Sequence, residues 1–194
     1  MSEDNLKRKV IRLSILGDTT VGKTSIIKAF LDNKFSDVSI SNIGNDKFSK
    51  QIKMKDGREI KLIIWDTAGQ ERFRSMATSS IKNSQGVILS FDIAKRSSFE
   101  SLGSWLDIIN QNANVPIVLL GNKCDLFENR VVSQEEIEKF SNTHKIEYFE
   151  TSAKENVNIQ EGFLKLVEIA YEKNKDSFGV SLKKDMKKKH RKIC

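Results

Sequence analysis

The sequence predicts an α/β domain in which a mostly parallel sheet with one antiparallel strand carries helices on both faces. Three observations predict it. An apolar, β-branched run from Val10 to Leu16 stops at Gly17, and Ile26, Ile27, Phe30 and Leu31 then recur at helical spacing. A glycine-bounded loop therefore joins a first strand to a first helix. Two further strand-like runs meet across Asp56-Gly57, a pair suited to a hairpin turn. From Gly86 onward strand and helix patterns alternate, as parallel strands require because a tight turn cannot join them.

The elements follow in order. Phe48 to Met54 and Glu59 to Trp65 are the two hairpin strands. Gly86 to Asp92 opens the alternating part, and the next helix presents Phe99, Leu102, Trp105, Leu106 and Ile109 on one face, with Ser97 and Glu100 spaced as a capping box. Pro116 to Asn122 is apolar without alternation, the pattern of a strand buried on both faces. Ser133 with Glu136 caps a helix bearing Ile137 and Phe140. Tyr148 to Thr151 is a short last strand, and Ile159, Phe163, Val167 and Ala170 mark the final amphipathic helix. Ligands of such sheets gather at the carboxyl ends of the strands.

At 194 residues one domain is expected. The start of the chain has no apolar stretch suited to a secretory leader, and Ser2 stands where myristoylation needs glycine, so a cytosolic location is expected. No apolar run approaches the roughly 20 residues that cross a bilayer, so membrane contact is expected to be peripheral. The cysteines, Cys124 and Cys194, and the histidines, His144 and His190, show neither a disulfide framework nor a metal-ligand spacing. Net charge is +7, yet seven Lys or Arg against one Asp fall between Lys183 and Cys194. The body is nearly neutral and the tail basic, which points to a tethered electrostatic contact and away from nucleic acid.

Gly17-Asp18-Thr19-Thr20-Val21-Gly22-Lys23-Thr24 matches G-x-x-x-x-G-K-[ST] between a strand and a helix, the P-loop context. Glycine at 17 and 22 lets backbone N–H groups approach phosphates, and the positive end of the helix adds to their pull. Lys23 is expected to hold the β and γ phosphates. The Thr24 hydroxyl suits magnesium, a hard ion that takes oxygen donors.

Asp66-Thr67-Ala68-Gly69-Gln70-Glu71 follows the second hairpin strand. There Asp66 can hold magnesium, Gly69 can offer an N–H to a γ-phosphate, and Gln70 can orient an attacking water. Asn122-Lys123-Cys124-Asp125 closes a later strand and bears on the base. Guanine shows donors at N1 and N2 that the two oxygens of Asp125 can accept, whereas adenine would leave the carboxylate unpaired. Thr151-Ser152-Ala153-Lys154 can present backbone N–H groups to guanine O6, and Cys124 is read as a packed small residue.

These ordered signals resemble the Ras superfamily over about Lys9 to Lys173, and Trp65 to Phe73, with Ile40-Ser41 before Ile43-Gly44, is similar to its Rab branch. The resemblance implies a P-loop NTPase fold of the small G-domain type with six strands. Residues 9–174 would form that domain, 1–8 an N-terminal extension and 175–194 a flexible basic tail ending in Cys194. It implies a Rab-like small GTPase, a GTP/GDP switch with slow intrinsic hydrolysis that regulates vesicle traffic. The nucleotide contacts it implies are Thr19, Thr20, Val21, Gly22, Lys23, Thr24, Ser25, Asn42, Asp66, Gly69, Asn122, Lys123, Asp125, Leu126, Ser152, Ala153 and Lys154. Thr24, Asn42 and Asp66 would ligate Mg2+, and Gln70 would be catalytic. Expected partners are an exchange factor, a GTPase-activating protein, a GDP-dissociation inhibitor and effectors, with the chain itself a monomer.

Several positions depart from the Rab pattern. Asn42 stands where a threonine that coordinates magnesium is common, and its amide oxygen reaches one atom further. Lys47 replaces an effector-facing phenylalanine, Ser80-Ile81 replace paired tyrosines, and Thr19 and Thr20 occupy loop positions where small residues are usual. The segment from Lys183 is too polar to pack and is expected to be a disordered arm. Rabs end in prenylated cysteines, usually two; here the single Cys194 would carry the lipid, and seven basic residues, each worth roughly 1 kcal/mol near an anionic leaflet, would add to the hold on the cytosolic face of an intracellular membrane. A nucleotide-bound interaction module that scarcely cycles is the alternative, and a P-loop kinase or ATPase is disfavoured by Asp125.

Overall fold

The computed structural model describes residues 9–32, 41–42, 47–54, 57, 59–67 and 74–190; of 41–42, 74–76 and 176–190 only the backbone is described. Seven strands form one sheet: β1 (Lys9–Leu16), β2 (Ser41–Asn42), β3 (Lys47–Lys53), β4 (Glu59–Asp66), β5 (Gly86–Asp92), β6 (Ile117–Asn122) and β7 (Glu147–Glu150). Their order is β2-β3-β4-β1-β5-β6-β7. Neighbours from β4 to β7 run parallel, while β3 pairs antiparallel with β4. The six longer strands are those expected, and the two-residue β2 adds an edge strand through Ser41↔Ser49 and Asn42↔Phe48. The helices are α1 (Lys23–Leu31), α2 (Arg74–Lys82), α3 (Arg96–Glu100), α4 (Leu102–Asn112), α5 (Gln134–His144) and α6 (Ile159–His190).

Alternation along the strands divides the core between the two faces. In β5 every residue is buried, because its alternate side chains point to opposite, equally covered faces. Ile88 joins Ile11, Leu13, Val118 and Leu120 in the layer under α1 and α6, where Phe30 and Phe163 stack at 4.0 Å. Val87, Leu89 and Phe91 join Ala77, Leu102, Trp105, Ile109 and Ile137 in the opposite layer. Each fully buried side chain of this size contributes roughly 1.5–3 kcal/mol, so both layers are needed to hold one sheet.

Strand limits shift by a residue where backbone bonding decides them. Pro116 cannot donate, and only its carbonyl enters the ladder, accepting from Val87 N at 3.0 Å. Thr151 lies just past β7 yet still donates to Gly121 O at 2.8 Å. Of the hairpin turn, Gly57 donates to Met54 O at 2.9 Å, and residues 55, 56 and 58 lie outside the described residues. The backbone of α6 is helical through His190, so the basic stretch assigned by sequence to a disordered arm continues the helix. Lysine propagates a helix well once a packed segment has nucleated it. Residues 191–194, with Cys194, are outside the described residues. No helix among the described residues is long and apolar enough to cross a membrane.

One of the two expected capping boxes forms. Ser133 Oγ accepts from Glu136 N at 3.3 Å while a Glu136 carboxylate oxygen accepts from Ser133 N at 3.1 Å, closing the start of α5. The box expected at Ser97 and Glu100 does not form, because α3 begins earlier, at Arg96, and puts exposed Ser97 inside the helix. The neighbouring Ser98, 1% exposed, takes the polar role: its Oγ accepts from Asp92 N at 3.0 Å and donates to Lys95 O at 2.7 Å. Glu100 pairs with Arg96 at 3.2 Å instead. Ser98→Ala would strand the buried Asp92 N–H, so urea unfolding should show a loss of about 1–2 kcal/mol, against under about 0.5 kcal/mol for Ser97→Ala.

A buried cation ties three elements together on the α1 side. Lys50 of β3, 2% exposed, donates to Phe30 O at the last turn of α1 and lies 4.3 Å from the Phe30 ring centre. Gln160 of α6 donates to the same carbonyl at 2.9 Å. Burial pushes the Lys50 ammonium below its ordinary value, and the charge of Asp32 partly offsets that.

Candidate functional site

The loop between β1 and α1 is shaped by contacts that exclude side chains. Gly17 (φ +137°) and Gly22 (φ +100°) both take left-handed conformations. A Cβ on Gly17 would lie 2.1 Å from Ser90 O, and one on Gly22 2.4 Å from Asn122 Nδ2. Helix α1 then begins with no side-chain cap and no acid in its first turn. Its first backbone N–H groups therefore favour an anion at that end. Buried Lys23 donates to Gly17 O at 2.7 Å and Asp18 O at 2.6 Å, curling its ammonium into the loop. Val21 is fully buried, and Ser25 is exposed on the first turn of α1.

The hydroxyl of Thr24 donates to Asp66 Oδ2 at 2.7 Å, bringing the start of α1 to the end of β4. These oxygen donors converge as a hard cation requires. Among the described residues no three His, Cys, Asp or Glu side chains converge on a metal position, so an ion held here would complete its shell from water and phosphate, the habit of Mg2+. Thr67 secures the same strand end by donating to Ile15 O at 2.6 Å. Asn42 is placed by its backbone pairing with Phe48, while its side chain, Gly69 and Gln70 lie outside the described residues.

The second half of the site stands at the ends of β6 and β7. Asn122, 1% exposed, donates from Nδ2 to Val21 O at 2.8 Å, and its Oδ1 accepts from Ala153 N at 3.1 Å. One side chain thus locks the glycine loop to the loop after β7. The Ala153 N–H, expected to face a base, is engaged by that bond. Ser152 Oγ donates to Asp125 Oδ1 at 2.6 Å, so the carboxylate is held in one orientation. Lys123 takes φ +66° and pairs with Asp92 Oδ2 at 2.6 Å. Leu126 is exposed in the following turn, and Lys154 is exposed beside Glu155. Burial, with Glu150 and Asp125 nearby, pushes the Cys124 thiol up.

Three further contacts have no signal in the spacing. Trp105 Nε1 donates to Asp18 Oδ1 at 2.9 Å, pinning the glycine loop to α4 across 87 positions. Asp92 anchors Lys123, and Lys95 Nζ reaches Thr20 Oγ1 at 3.4 Å. Asp92 and Lys95 flank the end of β5, a strand end that carries no motif of its own.

The family model described as "Ras family" matches residues 12–172. The chain is 44% identical over 161 residues to Ras-related protein Rab-10 of Diplobatis ommata, covering 82% of this chain and 80% of the relative. It is 44% identical over 170 residues to Rab-10 of Caenorhabditis elegans, with 87% and 84% covered, and 41% identical over 159 residues to Rab-13 of Rattus norvegicus, with 81% and 78% covered. With the glycine loop held to the loop after β7 by Asn122, and with this similarity to its relatives, the chain belongs to the Ras family as a Rab-like small GTPase, a GTP hydrolase that regulates membrane traffic.

Proposed function

We propose that the Gly17–Thr24 loop grips the phosphates of GTP and GDP while Asp125 reads guanine through its N1 and N2 donors. The observation that carries this reading is the pair of bonds from Asn122, to Val21 O at 2.8 Å and from Ala153 N at 3.1 Å. It ties the glycine loop to the loop after β7, so phosphate and base contacts made by the two would sit at a set distance. Lys23 would exchange its loop carbonyls for phosphate oxygens, a charge-assisted and stronger pairing. Ser25, Lys123, Leu126, Ser152 and Lys154 complete the nucleotide contacts with Thr19 and Thr20.

Thr24, Asp66 and Asn42 would hold Mg2+, which when bound neutralises charge on the phosphate oxygens. Gln70 would orient the attacking water, with Gly69 offering its N–H at the γ-phosphate. Arg96 and Arg130 are committed to Glu136 and Glu150, which supports slow hydrolysis that a partner's arginine accelerates. The loops on either side of the β3–β4 hairpin would order on the γ-phosphate and relax after its loss. A poorly cycling interaction module is the second reading, favoured by Asn42 in place of the threonine of the Rab pattern.

The chain is proposed to act as a monomer with an exchange factor, a GTPase-activating protein, a GDP-dissociation inhibitor and effectors. Residues 175–194 are proposed as a basic tail, prenylated at Cys194 and attached reversibly to the cytosolic face of an intracellular membrane. The deciding experiment extracts nucleotide from purified protein and follows timed single-turnover hydrolysis. Bound GDP or GTP with slow turnover supports the switch. Failure to take up guanine nucleotide in magnesium buffer, or equal affinity for ATP, would overturn it, and uptake without turnover even with an activating protein favours the second reading.

A further inference from the structure

We propose that Lys95 is an additional phosphate-positioning residue, one that lays its ammonium on the polyphosphate of a bound guanine nucleotide from the rim of the Gly17–Thr24 loop. The inference rests on the guanine-nucleotide reading above. Lys95 stands three residues past the carboxyl end of β5, the side of a parallel sheet where ligands gather. Its backbone is pinned there: its N–H donates to Asp92 O at 3.0 Å, and its carbonyl accepts from Ser98 Oγ at 2.7 Å and from Ser98 N at 3.0 Å. The root of the side chain is fixed, and the head extends to Thr20 Oγ1 at 3.4 Å, long for a hydrogen bond.

Thr20 itself is unusual. It holds φ +65°, a left-handed conformation that a β-branched residue rarely adopts, and it sits exposed on the crest of the loop. A strained crest residue that meets a cation joins the loop to the segment after β5.

The neighbouring cations have partners of their own. Lys23 bonds to the carbonyls of Gly17 and Asp18, Lys123 pairs with Asp92 at 2.6 Å, and Arg96 pairs with Glu136 at 2.7 Å. The Lys95 ammonium meets a neutral hydroxyl, that of Thr20. A phosphate oxygen carries full charge and forms a shorter, stronger bond than a hydroxyl at this distance. The flexible four-carbon stem lets the ammonium turn from the crest toward the loop interior. Thr20 then acts as the resting place of a charge that the ligand draws away.

The test measures dissociation of GDP and of a non-hydrolysable GTP analogue in magnesium buffer from the full chain, as wild type, K95Q and K95R. K95Q should release both nucleotides about two- to fivefold faster, the range of a solvent-screened charge pair. K95R should restore the wild-type rate, and the gap between wild type and K95Q should narrow as salt rises. Equal rates for wild type and K95Q at low salt overturn the role of Lys95 alone, as does a gap that salt leaves unchanged and K95R does not close. A wild-type protein that takes up no guanine nucleotide overturns both readings together.

Discussion

Asp125→Asn is expected to lower affinity for guanosine nucleotides by about a hundredfold or more and to shift preference toward xanthosine nucleotides. Ser152 Oγ donates to Asp125 Oδ1 at 2.6 Å, which would leave the other oxygen to face a bound purine. In D125N the amide oxygen keeps the serine as its donor, so the NH2 group must turn toward the base. Donor then meets donor at guanine N1 and N2, and a half-buried polar group loses its partner. Xanthine carries an oxygen at C2 in place of the amine and accepts from that NH2. Competitive titration with GDP and xanthosine diphosphate measures both effects, and an unchanged preference for guanine would show that Asp125 does not read the base.

Gly22→Ala is expected to abolish retention of nucleotide and to destabilise the fold by about 1–3 kcal/mol through backbone strain alone. The residue holds φ +100°, and the added Cβ would stand 2.4 Å from Asn122 Nδ2. Asn122 must then move, and its bond to Val21 O at 2.8 Å is the first to break. That bond joins the glycine loop to the end of β6, so the damage reaches both halves of the site. Nucleotide content after purification and urea unfolding of the emptied protein separate the binding loss from the folding loss. An alanine variant that keeps stoichiometric nucleotide would contradict the packing described.

The fold was legible wherever local pattern alone decides structure. Gly86 to Asp92 reads as a strand because unbroken apolar residues need two covered faces, and both are covered. Ser133 and Glu136 form the expected box because both partners lie within one helical turn. Ser97 misled because the spacing of Ser97 and Glu100 is also met inside a helix that starts at Arg96, two residues before a cap at Ser97 would start it, and burial then selects Ser98. Within the site, the glycine loop is legible because its geometry is written in eight adjacent residues. The bond from Trp105 to Asp18 is not, since its partners are 87 positions apart and each has ordinary local reasons to be there. The bridge from Asn122 to Val21 is hidden for the same reason, across 101 positions. Sequence spacing supplies the ligand-facing groups, while the groups that hold them still are set by the packing of distant strands.

The clamp of Lys50 and Gln160 on the Phe30 carbonyl limits what a nucleotide can move. If β3 slid along β4 by two residues, the ammonium would be dragged from its carbonyl into apolar surroundings and the aromatic ring beneath it uncovered. Such a translation is therefore opposed by the loss of both contacts. A change that keeps this clamp leaves β3 fixed against α1 and α6.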